Sequence, residues 1–403
     1  MSLHAAARAL MSPTLTVPVT ERCDSVIPRL REDSSLKLIV VVDSAGAPVG
    51  VLERIETLTA MANPLAYAVY QNRPVTALMD EDFFVYPLDG DLASLSTLLN
   101  SENRSLDTGG VVLLDGEACA GVLLYSAFLG YMVRQDAERS RELADAHRIV
   151  MDSVQYASRI QRGLLARREQ LLASFSDVGI IWEPRDIVGG DVFWLSPRCG
   201  NGTFWVAVVD CTGHGVPGAM MSMLAVSVLG RLWETDHDAP VGSVLARLGD
   251  LVRELLNQHS PDALSDDGFD AALCRVDPQG GTVSYAGARI SCFLMPRTHD
   301  PVIRVNGTKT ALGYRGDTPH SPLPEVKLAI NDVAMLVMAT DGLFDQPGGP
   351  NGRAFGPARM AEAISSHRGS SAAVVADKLH SDFLSWMGTQ DRRDDVCALV
   401  LGL

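Results

Sequence analysis

The chain has 403 residues, 47% of them hydrophobic and 21% charged, which is enough apolar mass for two or three domains with proper cores. Its formal net charge of -15 opposes nonspecific attraction to nucleic acid or an anionic bilayer, and no basic stripe offsets it. The seven cysteines (Cys23, Cys119, Cys199, Cys211, Cys274, Cys292, Cys397) are odd in number, widely spaced and free of CxxC, which predicts reduced thiols in a cytoplasmic compartment and no structural zinc. The richest apolar stretch, Ala219 to Leu229, is interrupted by Ser222 and Ser227 and is too short to span a bilayer. No export signal is evident, so neither membrane nor nucleic acid is expected as a partner.

An approximate internal repeat marks the first third. Leu38-Ile39-Val40-Val41-Val42-Asp43 followed by Gly50-Val51-Leu52 is echoed by Val111-Val112-Leu113-Leu114-Asp115 followed by Gly121-Val122-Leu123. Each copy predicts two buried strands around a short turn and then a helical segment, Ile55 to Ala62 or Ala127 to Val133. An extended lead-in (Leu15 to Val19, Phe83 to Leu88) and a helical stretch (Cys23 to Arg31, Leu92 to Leu99) precede each pair. Residues 10 to 133 thus resemble a tandem pair of CBS domains, and the resemblance implies a regulatory α/β module over 1–135. Such modules often bind an adenine nucleotide between their halves. Where nucleotide-binding CBS domains carry Thr or Ser and then Asp three residues on, this chain has Glu53 and Glu56 in one copy and Leu124 and Ala127 in the other. A packed, pseudo-symmetric dimerisation module without ligand is the alternative.

Residues 136–175 read as a helical linker. Leu143, Val150, Ala157, Leu164 and Leu171 recur every seven residues, with Val154 and Ile160 widening the stripe. One reading is a parallel coiled coil in a homodimer; the other is an amphipathic helix lying on the next domain. Gln161 and Arg168 in the companion row oppose a long, very stable zipper.

From Val178 onward the pattern alternates strands (Gly179 to Glu183, Thr203 to Asp210, Ala271 to Val276, Thr282 to Gly287, Cys292 to Met295, Val333 to Thr340, Val396 to Leu401) with helices (Gly218 to Trp233, Gly242 to Asn257, Pro357 to Ser366, Ser371 to Met387). The class predicted is α+β, with antiparallel sheets packed inside helices.

Five short phrases punctuate this region: Val188-Gly189-Gly190-Asp191, Asp210-Cys211-Thr212-Gly213-His214-Gly215, Asp267-Gly268-Phe269-Asp270, Thr340-Asp341-Gly342 and Arg393-Asp394-Asp395. A single Asp-Gly is ordinary turn chemistry. Together, strand ends bearing Asp191, Asp210, Asp341 and Asp394 can aim oxygens at one place, and a cluster of anions is tolerable only when cations neutralise it. Oxygen-only donors point to hard ions, Mg²⁺ or Mn²⁺.

In order and wording these phrases resemble the metal-dependent protein phosphatase (PPM) family, in its bacterial branch typified by SpoIIE and RsbU, over residues 176–403. The resemblance implies an α-β-β-α sandwich of two antiparallel sheets flanked by helices, and hydrolysis of phosphoserine or phosphothreonine with no phosphoenzyme. It implies two metals bridged by Asp210, with Asp191, Asp341, Asp394 and the main-chain carbonyl of Cys211 as further ligands. Asp191 and Asp210 are then the catalytic pair, and Asp395 supports the ligands from behind. His214 is a general acid or a structural hydrogen-bonding residue, and Asp267 and Asp270 recruit a further metal, gate the site or form a surface turn. No arginine answers to the phosphate-gripping one of the eukaryotic branch, which leaves the phosphate to the metals. The implied partner is a phosphorylated anti-sigma-factor antagonist. A catalytically weak scaffold and a nucleotide sensor are the rival readings.

Overall fold

The computed structural model describes residues 7–101, 109–260, 262–315 and 321–403, and the chain forms two compact units, Met1–Ala146 and His147–Leu403. The first unit opens with β1 (Leu15–Pro18), α1 (Cys23–Glu32), β2 (Leu38–Val42), β3 (Pro48–Glu53), α2 (Arg54–Ala62) and α3 (Pro64–Tyr70). It continues with β4 (Phe84–Pro87), α4 (Leu92–Ser101), β5 (Gly110–Asp115) and β6 (Ala118–Leu124). Each half makes a three-stranded sheet whose first strand runs parallel to the second and whose second runs antiparallel to the third. Even the ladder irregularity repeats, between Val41 and Val42 and between Leu113 and Leu114. Leu38, Val40 and Val51 of one sheet share a core with Val112 and Val122 of the other. Glu53 caps α2, its carboxylate accepting the Glu56 N–H at 2.7 Å.

Helix α5 spans Tyr125–Leu164, and the division between the units falls inside it. The sequence pattern predicts one helix from 136 to 175; the structure starts it earlier and interrupts it before α6 (Arg168–Leu172). Gly163 weakens the helix near this point, and the Arg167 N–H turns instead to the Gln170 side chain at 2.8 Å to begin the next.

The second unit contains β7 (Asp177–Glu183), β8 (Val192–Leu195), β9 (Phe204–Cys211), α7 (Gly215–Asp236), α8 (Val241–Leu255), β10 (Phe269–Asp277), β11 (Thr282–Ala288), β12 (Cys292–Pro296), β13 (Ile303–Val305) and β14 (Val326–Ala329). After β15 (Val333–Ala339) come α9 (Asp341–Phe344), the small hairpin β16 (Pro347–Gly348) and β17 (Arg353–Ala354), then α10 (Gly356–Ser366), α11 (Ala372–Met387) and β18 (Val396–Gly402). Two five-stranded sheets result, ordered β14-β11-β10-β9-β8 and β13-β12-β15-β18-β7, and every pairing within them is antiparallel.

The two-residue side-chain period decides what each strand face meets. In β9, Trp205, Ala207 and Val209 pack with α7 and α8, while Phe204, Val206 and Val208 join a core shared with the other sheet. Both faces are therefore apolar, which is why the strand reads as a continuous hydrophobic run. In β15 and β18 the same alternation sends Leu336, Met338, Cys397 and Leu399 to the shared core and Val337, Ala339, Val396 and Ala398 toward α10 and α11. Each fully buried Val or Phe contributes roughly 1.5–3 kcal/mol relative to exposure. Helix α7 is long and apolar enough to cross a membrane by length and composition, yet Ala219, Met221, Ala225, Leu229 and Leu232 lie in the protein core.

Candidate active site

Following the inward-facing register past the end of the apolar core locates the acids. Asp191 is two residues from Phe193 of β8, Asp210 two from Val208, Asp270 two from Ala272, Thr340 two from Met338 and Asp395 two from Cys397, all residues of the shared core. Strand parity therefore sends all five polar side chains to the side between the sheets, where hydrophobic packing stops. Asp210 and Asp270 stand directly opposite each other in the β9–β10 ladder.

Their electrostatics reflect burial and one another's charge. Burial pushes the Asp210 carboxyl well above the usual carboxylate range, and the charges of Asp191, Asp341, Asp270 and Asp394 push it further. Asp191 is 3% exposed and is likewise raised well above that range by burial, with the Thr340 hydrogen bond opposing the shift and the Asp395 charge adding to it. Asp341 stands at the rim with its tip exposed; the surrounding protein still displaces enough water to raise it, and Asp345 and Asp394 reinforce the effect. Asp270 is pushed up to about 6 by burial, with Arg289 opposing and Asp341 adding. Among the described residues, no three His, Cys, Asp or Glu side chains already close around one point as a cation cage. The acids neighbour one another pairwise, with Asp210 the common member.

The loop bearing Asp191 is fixed tightly. A Cβ on Gly189 would lie 2.5 Å from the Asp395 carboxyl, and one on Gly190 would lie 2.6 Å from the Cys211 carbonyl oxygen. These glycines allow the backbone to wedge between the Asp395 side chain and the turn after β9. The Asp395 carboxylate accepts the Arg185 and Gly190 N–H groups, each at 2.6 Å. The Thr340 hydroxyl donates to Asp191 Oδ2 at 2.6 Å and accepts the Cys397 N–H at 2.9 Å. The Trp182 indole N–H reaches the Asp191 carbonyl at 2.8 Å.

The family model described as Stage II sporulation protein E (SpoIIE) matches residues 200–403, about half of the chain. The chain belongs to the SpoIIE family. Members of this class are protein serine/threonine phosphatases, and so is this chain. Among solved structures, the SiaA-PP2C domain of Pseudomonas aeruginosa is 29% identical with a TM-score of 0.56, covering 64% of this chain and 99% of its own. The PP2C phosphatase domain with a regulatory-domain fragment of SpoIIE from Bacillus subtilis is 17% identical with a TM-score of 0.43, covering 56% and 61%. The RsbU and RsbW domains of Rv1364c from Mycobacterium tuberculosis are 22% identical with a TM-score of 0.41, covering 56% and 59%. No curated protein sequence matches the chain.

Around this SpoIIE-family site, His214 begins α7 and pairs through Nδ1 with Asp186 Oδ2 at 2.7 Å. Its structural partner is thus an exposed carboxylate outside the five phrases. Asp394 is exposed and its Oδ1 accepts the Asp395 N–H at 2.8 Å, forming a local turn. Asp267 is tied through its main chain, its N–H and carbonyl meeting the Gln258 side chain at 2.6 and 2.7 Å.

Sequence reasoning missed the residues that hold these loops in place. Three glutamines, Gln161, Gln258 and Gln346, are 1%, 2% and 0% exposed, and each clamps a different acid-bearing segment. Gln161 of α5 donates to the Gly189 carbonyl at 2.6 Å and to Ser222 of α7 at 3.0 Å, and accepts the Gly189 N–H at 3.3 Å. Gln346 accepts the Arg393 N–H at 2.9 Å and donates to the Asp391 carbonyl at 3.0 Å. A neutral amide offers donor and acceptor together without adding charge beside an anionic cluster. The one visible signal was Gln161, a polar residue in the apolar row of its helix. In the sequence Thr340 is visible only as the neighbour of Asp341. Substituting Thr340→Val is expected to weaken metal binding about tenfold, because Asp191 loses the donor that orients it; an unchanged Mn²⁺ titration of phosphate release would refute that role.

Proposed function

We propose that the second unit hydrolyses phosphoserine or phosphothreonine in a signalling protein with two Mg²⁺ or Mn²⁺ ions held by Asp191, Asp210, Asp341, Asp394 and the Cys211 carbonyl. The observation that carries this reading is the gathering of carboxylates about Asp210 with their protonation forced upward by burial and mutual charge. An oxygen-only, like-charged, partly buried donor set fits hard divalent cations, which remove the repulsion that otherwise opposes folding. Ions held there by these residues would supply an activated water and neutralise charge on the phosphoryl oxygens.

The chain's own contributions are positional. Asp191 is oriented by Thr340, and its loop is set by Asp395 and Gln161. Asp210 feels the charges of Asp191, Asp341 and Asp270 together. No protein nucleophile is needed, so no phosphoenzyme forms. The layers are read as an α-β-β-α sandwich, with the site at the edge of the space between the sheets.

The substrate is read as a phosphorylated anti-sigma-factor antagonist or a similar small domain, and the enzyme as cytoplasmic. The front unit is read as a regulatory, CBS-like module. Because Glu53 is engaged in capping α2, packing rather than nucleotide capture is its favoured role, and unchanged melting with AMP and ATP is the result expected. Leu143, Val150 and Leu164 of α5, separated by multiples of seven residues, are 64%, 57% and 44% exposed, which supports pairing with a second copy as a coiled coil. A monomeric sedimentation profile across the working concentration range overturns the dimer. Phosphate release from purified phosphoproteins, compared with Mn²⁺, Mg²⁺ and chelator, tests the enzyme reading; release unaffected by chelator refutes it.

A further inference from the structure

Beside the acid cluster lies an open cleft of about 540 Å³ lined by Arg289, Lys309, Thr310, Ala311 and Tyr314. It adjoins the catalytic acids at two points. Arg289 Nη1 lies 3.8 Å from Asp270 Oδ1, and Asp270 is the ladder partner of Asp210. Tyr314 Oη meets Thr212 Oγ1 at 2.5 Å, within the turn that follows Asp210. Gly268 makes this second junction possible, because a Cβ there would lie 2.2 Å from the Tyr314 ring. The glycine of Asp267-Gly268-Phe269-Asp270 therefore has a spatial reason unrelated to cation ligation.

Arg289 is one of two non-glycine residues with positive φ, at 58°, among those described, a backbone conformation unfavourable for its residue type. Its N–H is held by the Thr308 carbonyl at 3.0 Å and its Nε by the Lys309 carbonyl at 3.3 Å. Its guanidinium, half exposed, is thereby kept over the cleft beside Asp270. Lys309 is exposed and has no ion-pair partner among the described residues. Two cations thus face an open cleft on a chain of net charge -15, whose overall field repels acidic ligands. The cleft has the volume of a site for a side chain with its flanking backbone, well beyond a lone phosphoryl group. Asp270 stands one strand spacing, about 5 Å, from Asp210, and the Arg289 guanidinium lies 3.8 Å beyond it, within reach of the residues flanking a phosphoresidue in an extended chain.

We propose that the Arg289–Lys309–Tyr314 cleft is a substrate subsite that selects phosphoproteins with a carboxylate side chain beside the phosphoserine or phosphothreonine. This rests on the phosphatase reading and adds a specificity determinant to it. Arg289 and Lys309 take the flanking carboxylate, Tyr314 and Thr310 line the path of the backbone, and the phosphoryl group itself lies at the acid cluster.

The test uses the full chain and phosphoserine peptides identical except for Glu, Ala or Lys beside the phosphoserine, with p-nitrophenyl phosphate as a substrate lacking any flank. The unmutated enzyme is expected to favour the Glu peptide over the Ala peptide in kcat/KM. Arg289→Ala and Lys309→Ala should each reduce that preference, Arg289→Ala by about tenfold, the scale of one charge-assisted hydrogen bond. Arg289→Glu should shift the preference to the Lys peptide. Equal losses on all three peptides and p-nitrophenyl phosphate would overturn the subsite and assign Arg289 to the phosphoryl group or to the fold. Peptide affinities measured by anisotropy on the Asp210→Asn chain make the same comparison without turnover. Selective binding of the Glu peptide by this variant, with no phosphate release by the unmutated chain, would overturn only the phosphatase reading, whereas indifferent binding would overturn the subsite.

Discussion

Asp210→Asn is expected to abolish metal-dependent phosphate release, by on the order of a thousandfold or more, while making the metal-free protein more stable. The two effects have one cause. Asp210 is the acid nearest in charge to Asp191, Asp341, Asp270 and Asp394, so it is the one through which two cations could be shared and the one whose charge costs most when none is bound. Removing a buried like charge relieves roughly 1 kcal/mol or more, and a domain of this size gains about 2–4 °C in melting temperature per kcal/mol. Added Mn²⁺ should reverse the order, stabilising the unmutated chain more than the variant, because a ligand bound only by the folded state raises its stability. Differential scanning calorimetry with and without Mn²⁺, alongside phosphate release, measures both halves. Release persisting in the purified variant would remove Asp210 from the chemistry; a lower metal-free melting temperature would show that its charge is already compensated by protein groups.

The acids were legible because each stands where local chemistry announces it, beside glycine or at the end of a strand whose hydrophobic run is plain. Asp191 and Asp210 needed no tertiary knowledge to be singled out. The long strands were equally visible, since Phe204 to Cys211 is apolar on both faces. Strand β8 was not, because four residues directly after a glycine loop carry too little periodicity to distinguish from the loop itself. Arg289 and Tyr314 were invisible for another reason: they lie on separate loops that meet Asp270 and Thr212 only when β9, β10 and β11 are paired. No motif marks Arg289, which arrives beside Asp270 only through the fold. His214 shows the same limit, since its partner Asp186 lies in a loop with no motif of its own. Buried glutamines are the hardest case. Polar side chains are read as surface by default, and their burial follows only from the main-chain groups they satisfy.

Gln161→Leu is accordingly expected to raise the Mn²⁺ concentration needed for half-maximal phosphate release by about 10- to 100-fold, the usual effect of losing a group that orients a ligand. Leucine fits the apolar row of α5 but can neither donate to the Gly189 carbonyl nor accept the Gly189 N–H, and it leaves Ser222 without its amide partner. Those main-chain groups sit two residues before Asp191 in a loop wedged against Asp395 and the Cys211 carbonyl, and leaving them unpaired costs about 1–3 kcal/mol. A loop so released samples positions from which Asp191 no longer faces Asp210, so the cost is taken from metal binding. At saturating Mn²⁺ the rate should largely recover, because no group that meets the phosphate has been removed. Gln161→Glu separates the two hydrogen bonds: it keeps an acceptor for the Gly189 N–H, loses the donor to the carbonyl, and brings another anion toward Asp191. It should therefore be at least as impaired as the leucine variant despite its closer shape. A Mn²⁺ titration superimposable on that of the unmutated chain for both variants would show that the loop holds its place through Asp395 and Trp182 alone.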